Sequence, residues 1–185
     1  MKRFRKFFRT VATLLMVIII IAVGHSMVIR YLHPKDFSDH IEKYSSEYKV
    51  PKELVFAVVK CESSFDPNAK SNKDAVGLMQ LTEETFNDVK KMLGDDDDLS
   101  FSKNATDEEI NIKYGTYYLK FLSDYFEGDE TATIAAYNAG LGNVQKWIGE
   151  DKKLTVDEIK FAETKEYVKR VLKAKKIYIK AYEKG

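Results

Sequence analysis

The chain has 185 residues, 44% of them hydrophobic and 32% charged, which suits one compact domain with an appendage. Its net charge of +1 hides an asymmetry: residues 1–35 hold seven of the 30 basic residues and no acid, leaving 29 acids against 23 basic residues from Asp36 onward. A net-acidic domain argues against nucleic-acid binding, which wants a basic face, and the single cysteine, Cys61, excludes an intrachain disulfide and a cysteine-based zinc site.

The appendage comes first. Residues 1–10 form a basic head with Lys2, Arg3, Arg5, Lys6 and Arg9, and 11–29 are apolar except for Thr13, Gly24, His25 and Ser26. As a helix, that run extends about 28 Å, close to the hydrocarbon thickness of a bilayer. Basic residues stay on the cytoplasmic side, so the expectation is a single-pass anchor in the cytoplasmic membrane with the remaining chain on the extracytoplasmic side. Two other readings stand beside it: a cleaved signal peptide, with Ala22-Val23-Gly24 as a small-residue site, and a buried core helix. Residues 30–36, with Pro34, read as a juxtamembrane linker, and 37–185 as the domain.

Within the domain the period is helical throughout, and no period-2 strand stands out. A first helix starts near Asp36 or Ser38 and runs to Tyr48, with Phe37, Ile41, Tyr44 and Tyr48 on one face. Pro51 opens the next, to about Ser63, with Leu54, Val55, Val58 and Val59 aligned. Residues 66–81 read as a loop. Thr82 caps a helix ending at Leu93 before Gly94. The run Asp95–Asp98 lacks the glycine and glutamate positions of a calcium loop and reads as a solvated turn.

Thr106-Asp107-Glu108-Glu109 reads as a capping box opening a long helix to Phe126, closed by Gly128. Asp129 caps an alanine-rich helix ended by Gly140. A short helix with Val144, Trp147 and Ile148 follows. The last runs from Glu163 to Tyr182, with Tyr167, Val168, Val171, Leu172, Ile179 and Tyr182 at heptad-like spacings.

Glu62 lies four residues after Val58, seven after Val55 and eight after Leu54, at the end of an apolar face. A carboxyl there loses hydration and sits by the negative helix end, and both effects raise its pKa. Such a group suits general acid catalysis; from periodicity alone, a surface glutamate beyond the stripe fits equally. Cys61 beside it reads as a small core residue.

Three segments in order, Glu62-Ser63-Ser64-Phe65, Gly77-Leu78-Met79-Gln80-Leu81 and Ala136-Tyr137-Asn138-Ala139-Gly140, resemble the signature blocks of the soluble lytic transglycosylase domain family. The resemblance continues through Asn111-Ile112, Gly115, Tyr118-Leu119 and Glu163-Thr164-Lys165-Glu166-Tyr167-Val168, covering essentially everything after residue 37. It implies an all-α, lysozyme-like fold of the goose-type/SLT kind. It also implies an enzyme that acts on peptidoglycan glycan strands, cleaving the MurNAc-GlcNAc β-1,4 bond without water to leave 1,6-anhydroMurNAc ends, with no cofactor and no metal.

By the same resemblance Glu62 is the catalytic acid and then base. Gly77, Met79 and Gln80 shape the groove, through backbone freedom, an adaptable apolar contact and an amide respectively. Tyr137 hydrogen-bonds Glu62 and substrate, Asn138 supports the site, Ser63 belongs to the catalytic block, and Glu163 and Tyr167, on one face at i and i+4, approach the groove. On the residues alone, the Gly77 block also reads as an ordinary turn, Tyr137 as a core tyrosine and Glu163 as a favourable first-turn acid.

Two rival functions remain. A hydrolytic muramidase would need a second carboxylate; similar goose-type lysozymes place an Asp directly after the glycine block, where this chain has Thr82, and Asp66 and Asp74 are near only in sequence. A non-catalytic peptidoglycan-binding module of an envelope machine is the other. Service in envelope-spanning secretion, conjugation or division machinery is compatible with either.

Overall fold

The computed structural model describes residues 2–95, 98–149 and 153–182. Those residues form nine α-helices and one 3-10 turn: α1 (Lys2–Leu32), α2 (Ser38–Tyr48), α3 (Lys52–Glu62), α4 (Glu83–Leu93), α5 (Phe101–Asn104), α6 (Glu108–Tyr125), α7 (Glu130–Ala139), α8 (Leu141–Gln145), the turn Val156–Glu158, and α9 (Ala162–Tyr182). There is no strand among the described residues, only isolated bridges Lys70–Val76 and Val76–Leu81 that pin the loop after α3.

Helix α1 stands apart from the core. The stretch Arg3–Leu32 has a best-window mean hydropathy of 2.5, and 0% of that window is buried, so the core-helix reading falls: apolar side chains left uncovered by the chain need another apolar medium. The helix continues past residue 29 to Leu32, shortening the irregular linker to His33–Phe37.

The domain is organised around α3, which packs on α9 and α2, while α6 packs on α2 and α7, and α7 on α9. Leu54 through Val59 are all buried. The expected single apolar face is therefore too narrow: Phe56 and Ala57 are covered too, Phe56 stacking on Tyr178 at 5.3 Å between centroids, because a helix enclosed by its neighbours is apolar nearly all round. In α9 the buried line runs Thr164, Tyr167, Val168, Val171, Ala174 and Tyr178, leaving Leu172, Ile179 and Tyr182 half-buried at its edge. Phe86, Val89, Leu81, Ala105 and Tyr114 form a smaller second cluster.

The helix ends follow their local chemistry. Thr82 accepts from the Thr85 amide and Gly94 takes the left-handed conformation at φ 66°, as expected of an N-cap and a glycine C-cap. Asp129 accepts from the Ala132 amide, and Gly140 ends α7. One cap differs: Asp107, not Thr106, caps α6 by accepting from Ile110, since Glu109 is drawn instead to Lys43 and Tyr44. A capping box does form at Thr155 and Glu158, ahead of the 3-10 turn. Helix α8 stops at Gln145, so Trp147 lies in the turn after it and Ile148 just beyond. Of the aspartate run, Asp95 pairs with Lys113 at 2.6 Å, whereas Asp96 and Asp97 lie outside the described residues.

Candidate active site

Glu62 is the last residue of α3 and opens into a cleft of about 300 Å³ lined by Ser71, Asn72, Lys73, Ala75, Gln80, Thr82, Tyr137, Asn138 and Glu163. Burial at the end of the apolar helix pushes its carboxyl up to about 7, against the smaller opposing effects of the Tyr167 hydroxyl and the Arg170 charge. Desolvation disfavours the charged form, while a donated hydrogen bond and a nearby cation favour it; here desolvation prevails. A carboxyl poised at that value can give up a proton and take one back near neutrality.

The Tyr167 hydroxyl donates to Glu62 Oε1 at 2.5 Å. That partner corrects the expectation for Tyr137. Its hydroxyl donates to the Met79 carbonyl at 2.8 Å, so Tyr137 borders the cleft while tying α7 to the glycine-block loop. The ring of Tyr118 packs 5.6 Å from that of Tyr137. Asn138 Oδ1 accepts from the Thr164 hydroxyl at 2.7 Å, which holds the end of α7 against the start of α9. Glu163 reaches the cleft as expected.

Other expected contacts resolve differently. Met79 is fully buried and lies against Gly115, where an added Cβ would come within 2.3 Å of its sulfur; its side chain is a core contact and not a groove contact. Gly77 has φ +80°, and a Cβ there would fall 2.3 Å from Asn111 Nδ2 and 2.7 Å from the Ala105 carbonyl oxygen. The expected backbone freedom is thus used here, and the close packing of Asn111 and the Ala105 carbonyl requires glycine as well. Ser63 turns inward on the backbone, donating to the Val59 carbonyl and accepting from the Phe65 amide. Gln80 does line the cleft, yet its amide nitrogen is committed to the Ala69 and Gly77 carbonyls, leaving only its carbonyl oxygen to face a ligand.

Asn111 was named in the resemblance without a role. Fully buried, it accepts from the Met79 amide at 2.7 Å and donates to the carbonyls of Val76 at 3.1 Å and Ala105 at 2.7 Å. It thus clamps the loop that forms one wall of the cleft. A signal was present: Asn111, Gly115 and Leu119 recur every four residues on one face of α6, which marks that asparagine as buried and in need of partners.

The far wall, Ser71–Ala75, had no signal in the sequence. It is a turn closed by Ser71, whose hydroxyl accepts from the Lys73 and Ala75 amides. Neither Asp66 nor Asp74 reaches the cleft: Asp66 accepts from the Asn68 amide, and Asp74 pairs with Lys70 in solvent. Besides Glu62, the one carboxylate lining the cleft among the described residues is Glu163. No group of three or more His, Cys, Asp or Glu that could hold a metal occurs among those residues.

The transglycosylase SLT domain matches residues 39–160. The chain is 35% identical over 144 residues to the soluble lytic murein transglycosylase of Escherichia coli strain K12, covering 75% of this chain and 22% of that protein. It is 40% identical over 121 residues to membrane-bound lytic murein transglycosylase C of Photorhabdus laumondii, covering 61% of this chain and 34% of that one. Among solved structures, the 70 kDa soluble lytic transglycosylase of E. coli superposes with a TM-score of 0.76 at 32% identity over 82% of this chain and 25% of that one. A 70 kDa soluble lytic transglycosylase in complex with bulgecin A gives 0.78 at 31% identity over 85% of this chain and 26% of that one. The chain thus spans about a quarter of the soluble relatives it matches, and it shares the all-α, lysozyme-like fold of the solved ones. It belongs to the transglycosylase SLT domain family.

Proposed function

We propose that the chain is a membrane-anchored peptidoglycan lytic transglycosylase. The observation that carries this reading is Glu62, a carboxyl raised to about 7, in a cleft whose wall is the Gly77 block. Cleavage of a glycosidic bond needs an acid to protonate the leaving oxygen, and a group poised near neutrality can then act as base.

In this scheme the Glu62 carboxyl protonates the oxygen linking MurNAc to GlcNAc, and the C1–O bond breaks. The N-acetyl carbonyl oxygen of MurNAc covers C1 as positive charge develops. Glu62, now a carboxylate, takes the proton of the sugar's own 6-hydroxyl as O6 closes on C1, giving a 1,6-anhydroMurNAc end and restoring the acid. An attached nucleophile needs no captured water and has the advantage of an intramolecular reaction. Tyr167 holds the carboxyl, and Gln80, Tyr137, Asn138 and Glu163 border the sugar path.

Helix α1 supplies the location. Residues 11–29 span the cytoplasmic membrane, 1–10 stay inside, 30–36 link, and 37–185 work outside on wall remodelling or local opening. The membrane-bound relative supports attachment.

Glu163 favours one second reading, hydrolysis, because a carboxylate in the same cleft could activate water. Digestion of purified cell wall followed by mass spectrometry of the muropeptides tests both. Anhydro ends support the transglycosylase, reducing MurNAc ends would establish a muramidase, and no cleavage at all would leave a binding module.

A further inference from the structure

Helix α9 carries seven lysines and arginines against two acids, and both acids, Glu163 and Glu166, lie before Tyr167. Lys169, Lys173, Lys176 and Lys180 are exposed at spacings of four, three and four, hence on one face. Together with Leu172 and Ile177 they line one shallow groove. Lys165 and Lys175 pair with Asp157 and Glu130, and Lys169 with Glu166 at 2.7 Å. Among the described residues, no carboxylate forms an ion pair with Lys173, Lys176 or Lys180. Like charges at such spacings destabilise a helix, so this row calls for an external counter-charge.

Its position says which. The last turns of α9 face the end of α1, with Ile177, Lys180 and Ala181 opposite His25, Ser26, Ile29 and Arg30. The Tyr178 hydroxyl donates to the Pro34 carbonyl at 3.0 Å, and that of Tyr182 to the His33 carbonyl at 2.7 Å. Lys35 Nζ sits 4.1 Å over the Tyr182 ring. The linker is therefore stapled to α9, and the lysine row begins where α1 leaves the bilayer. Burial, and the charges of Lys60 and of Lys173 from the row itself, hold the His33 imidazole of this junction below its ordinary value.

We infer that the Lys169–Lys173–Lys176–Lys180 face of α9 docks on the anionic headgroups of the bilayer that α1 spans. The inference rests on α1 being an anchor. Lysines there reach phosphate oxygens while their stems and the half-buried Leu172 and Ile177 settle at the interface. Attraction to an anionic leaflet decays within about 8 Å, a condition that the staple satisfies for the Lys180 end of the row. The rest of the domain is acidic and would be repelled, so docking also fixes which way the cleft faces.

The test uses the full chain in nanodiscs of phosphatidylcholine alone, or of equal parts phosphatidylcholine and phosphatidylglycerol. Lysines are acylated with a water-soluble reagent and read individually by peptide mass spectrometry. In the anionic discs Lys173, Lys176 and Lys180 should react about fivefold more slowly than in neutral discs, the gain expected for a lysine at an anionic surface, and molar salt should abolish the difference. Lys91 and Lys103, on α4 and α5, serve as references. In the double variant Lys173→Glu/Lys176→Glu the protection of Lys180 should vanish while cell-wall digestion persists. Equal rates in the two lipids would overturn the inference. So would protection that appears only when an anionic wall polymer is added to neutral discs. Failure to enter discs of either lipid would overturn the anchor and the docking together.

Discussion

The Tyr167 hydroxyl reaches Glu62 Oε1 at 2.5 Å across 105 residues of chain, joining the second turn of α9 to the last residue of α3. Two opposed influences meet at that carboxyl. Burial favours the protonated form and the donated bond favours the charged one; because burial is larger, the carboxyl stands at about 7.

Turnover on purified glycan should therefore have an alkaline limb near pH 7, since the acid that protonates the leaving oxygen is lost above its pKa. In Tyr167→Phe the bond that lowers the pKa is gone, so the limb should move to higher pH. A merely structural tyrosine would lower the rate at every pH without moving the limb. The pH–rate profiles of the two proteins decide it.

The same shift has a consequence for stability. Glu62 binds its proton more tightly folded than unfolded, so its contribution is fully present below the unfolded value of 4.5 and is lost as pH rises towards the folded value of about 7. Glu62→Gln cannot lose a proton. The difference in melting temperature, variant minus parent, should be small at acid pH, grow as pH rises through that window and level off above it. A difference independent of pH would mean that the folded-state carboxyl is not raised.

Much of this arrangement was legible in the sequence because it is local. Thr82, Asp129, Gly94 and Gly140 announce helix ends by chemistry acting within one turn, and Leu54, Val55 and Val58 place Glu62 by period alone. What was not legible depends on distant packing. Whether Tyr137 or Tyr167 meets Glu62 is decided by how α7 and α9 cross α3, and both tyrosines are equally plausible from sequence. Met79 looked like a groove contact because its neighbours are in the groove, yet the loop turns it under Gly115. The Thr106 box failed because Glu109 found Lys43 and Tyr44 on α2, partners that lie 66 and 65 residues away.

Asn111 provides a test of how the wall is held. Asn111→Ala strands the Met79 amide and the Ala105 carbonyl, while the Val76 carbonyl keeps the Leu81 amide, and a buried polar group left unpaired costs about 1–3 kcal/mol. Thermal unfolding should show a loss of at least that order, and turnover should fall more than the residual folded fraction explains, because Gln80 and the Met79 carbonyl lose their seat. Unchanged melting and activity would show that water replaces the clamp.

The anchor is tested in cells. With 0% of its apolar window buried by the chain, α1 should keep the protein in the membrane fraction through carbonate washing, and a protease added outside should remove the domain. A soluble form beginning near His25 would identify the segment as a cleaved signal peptide.

The catalytic assignment is the sharpest, because in the proposed scheme one carboxyl performs both proton transfers. Glu62→Gln preserves shape and can still meet the Tyr167 hydroxyl, but it has no proton to transfer. Positioned acid–base catalysis is typically worth roughly 10²- to 10⁴-fold, and activity on intact glycan should fall by about that factor while helicity and glycan binding persist. Asp66→Asn and Asp74→Asn, both outside the cleft, should be nearly silent. Glu163→Gln separates the two chemistries: a bordering residue should raise KM more than it lowers kcat, whereas a base that activates water should collapse kcat. Near-normal release of anhydromuropeptides by Glu62→Gln would remove Glu62 from the mechanism.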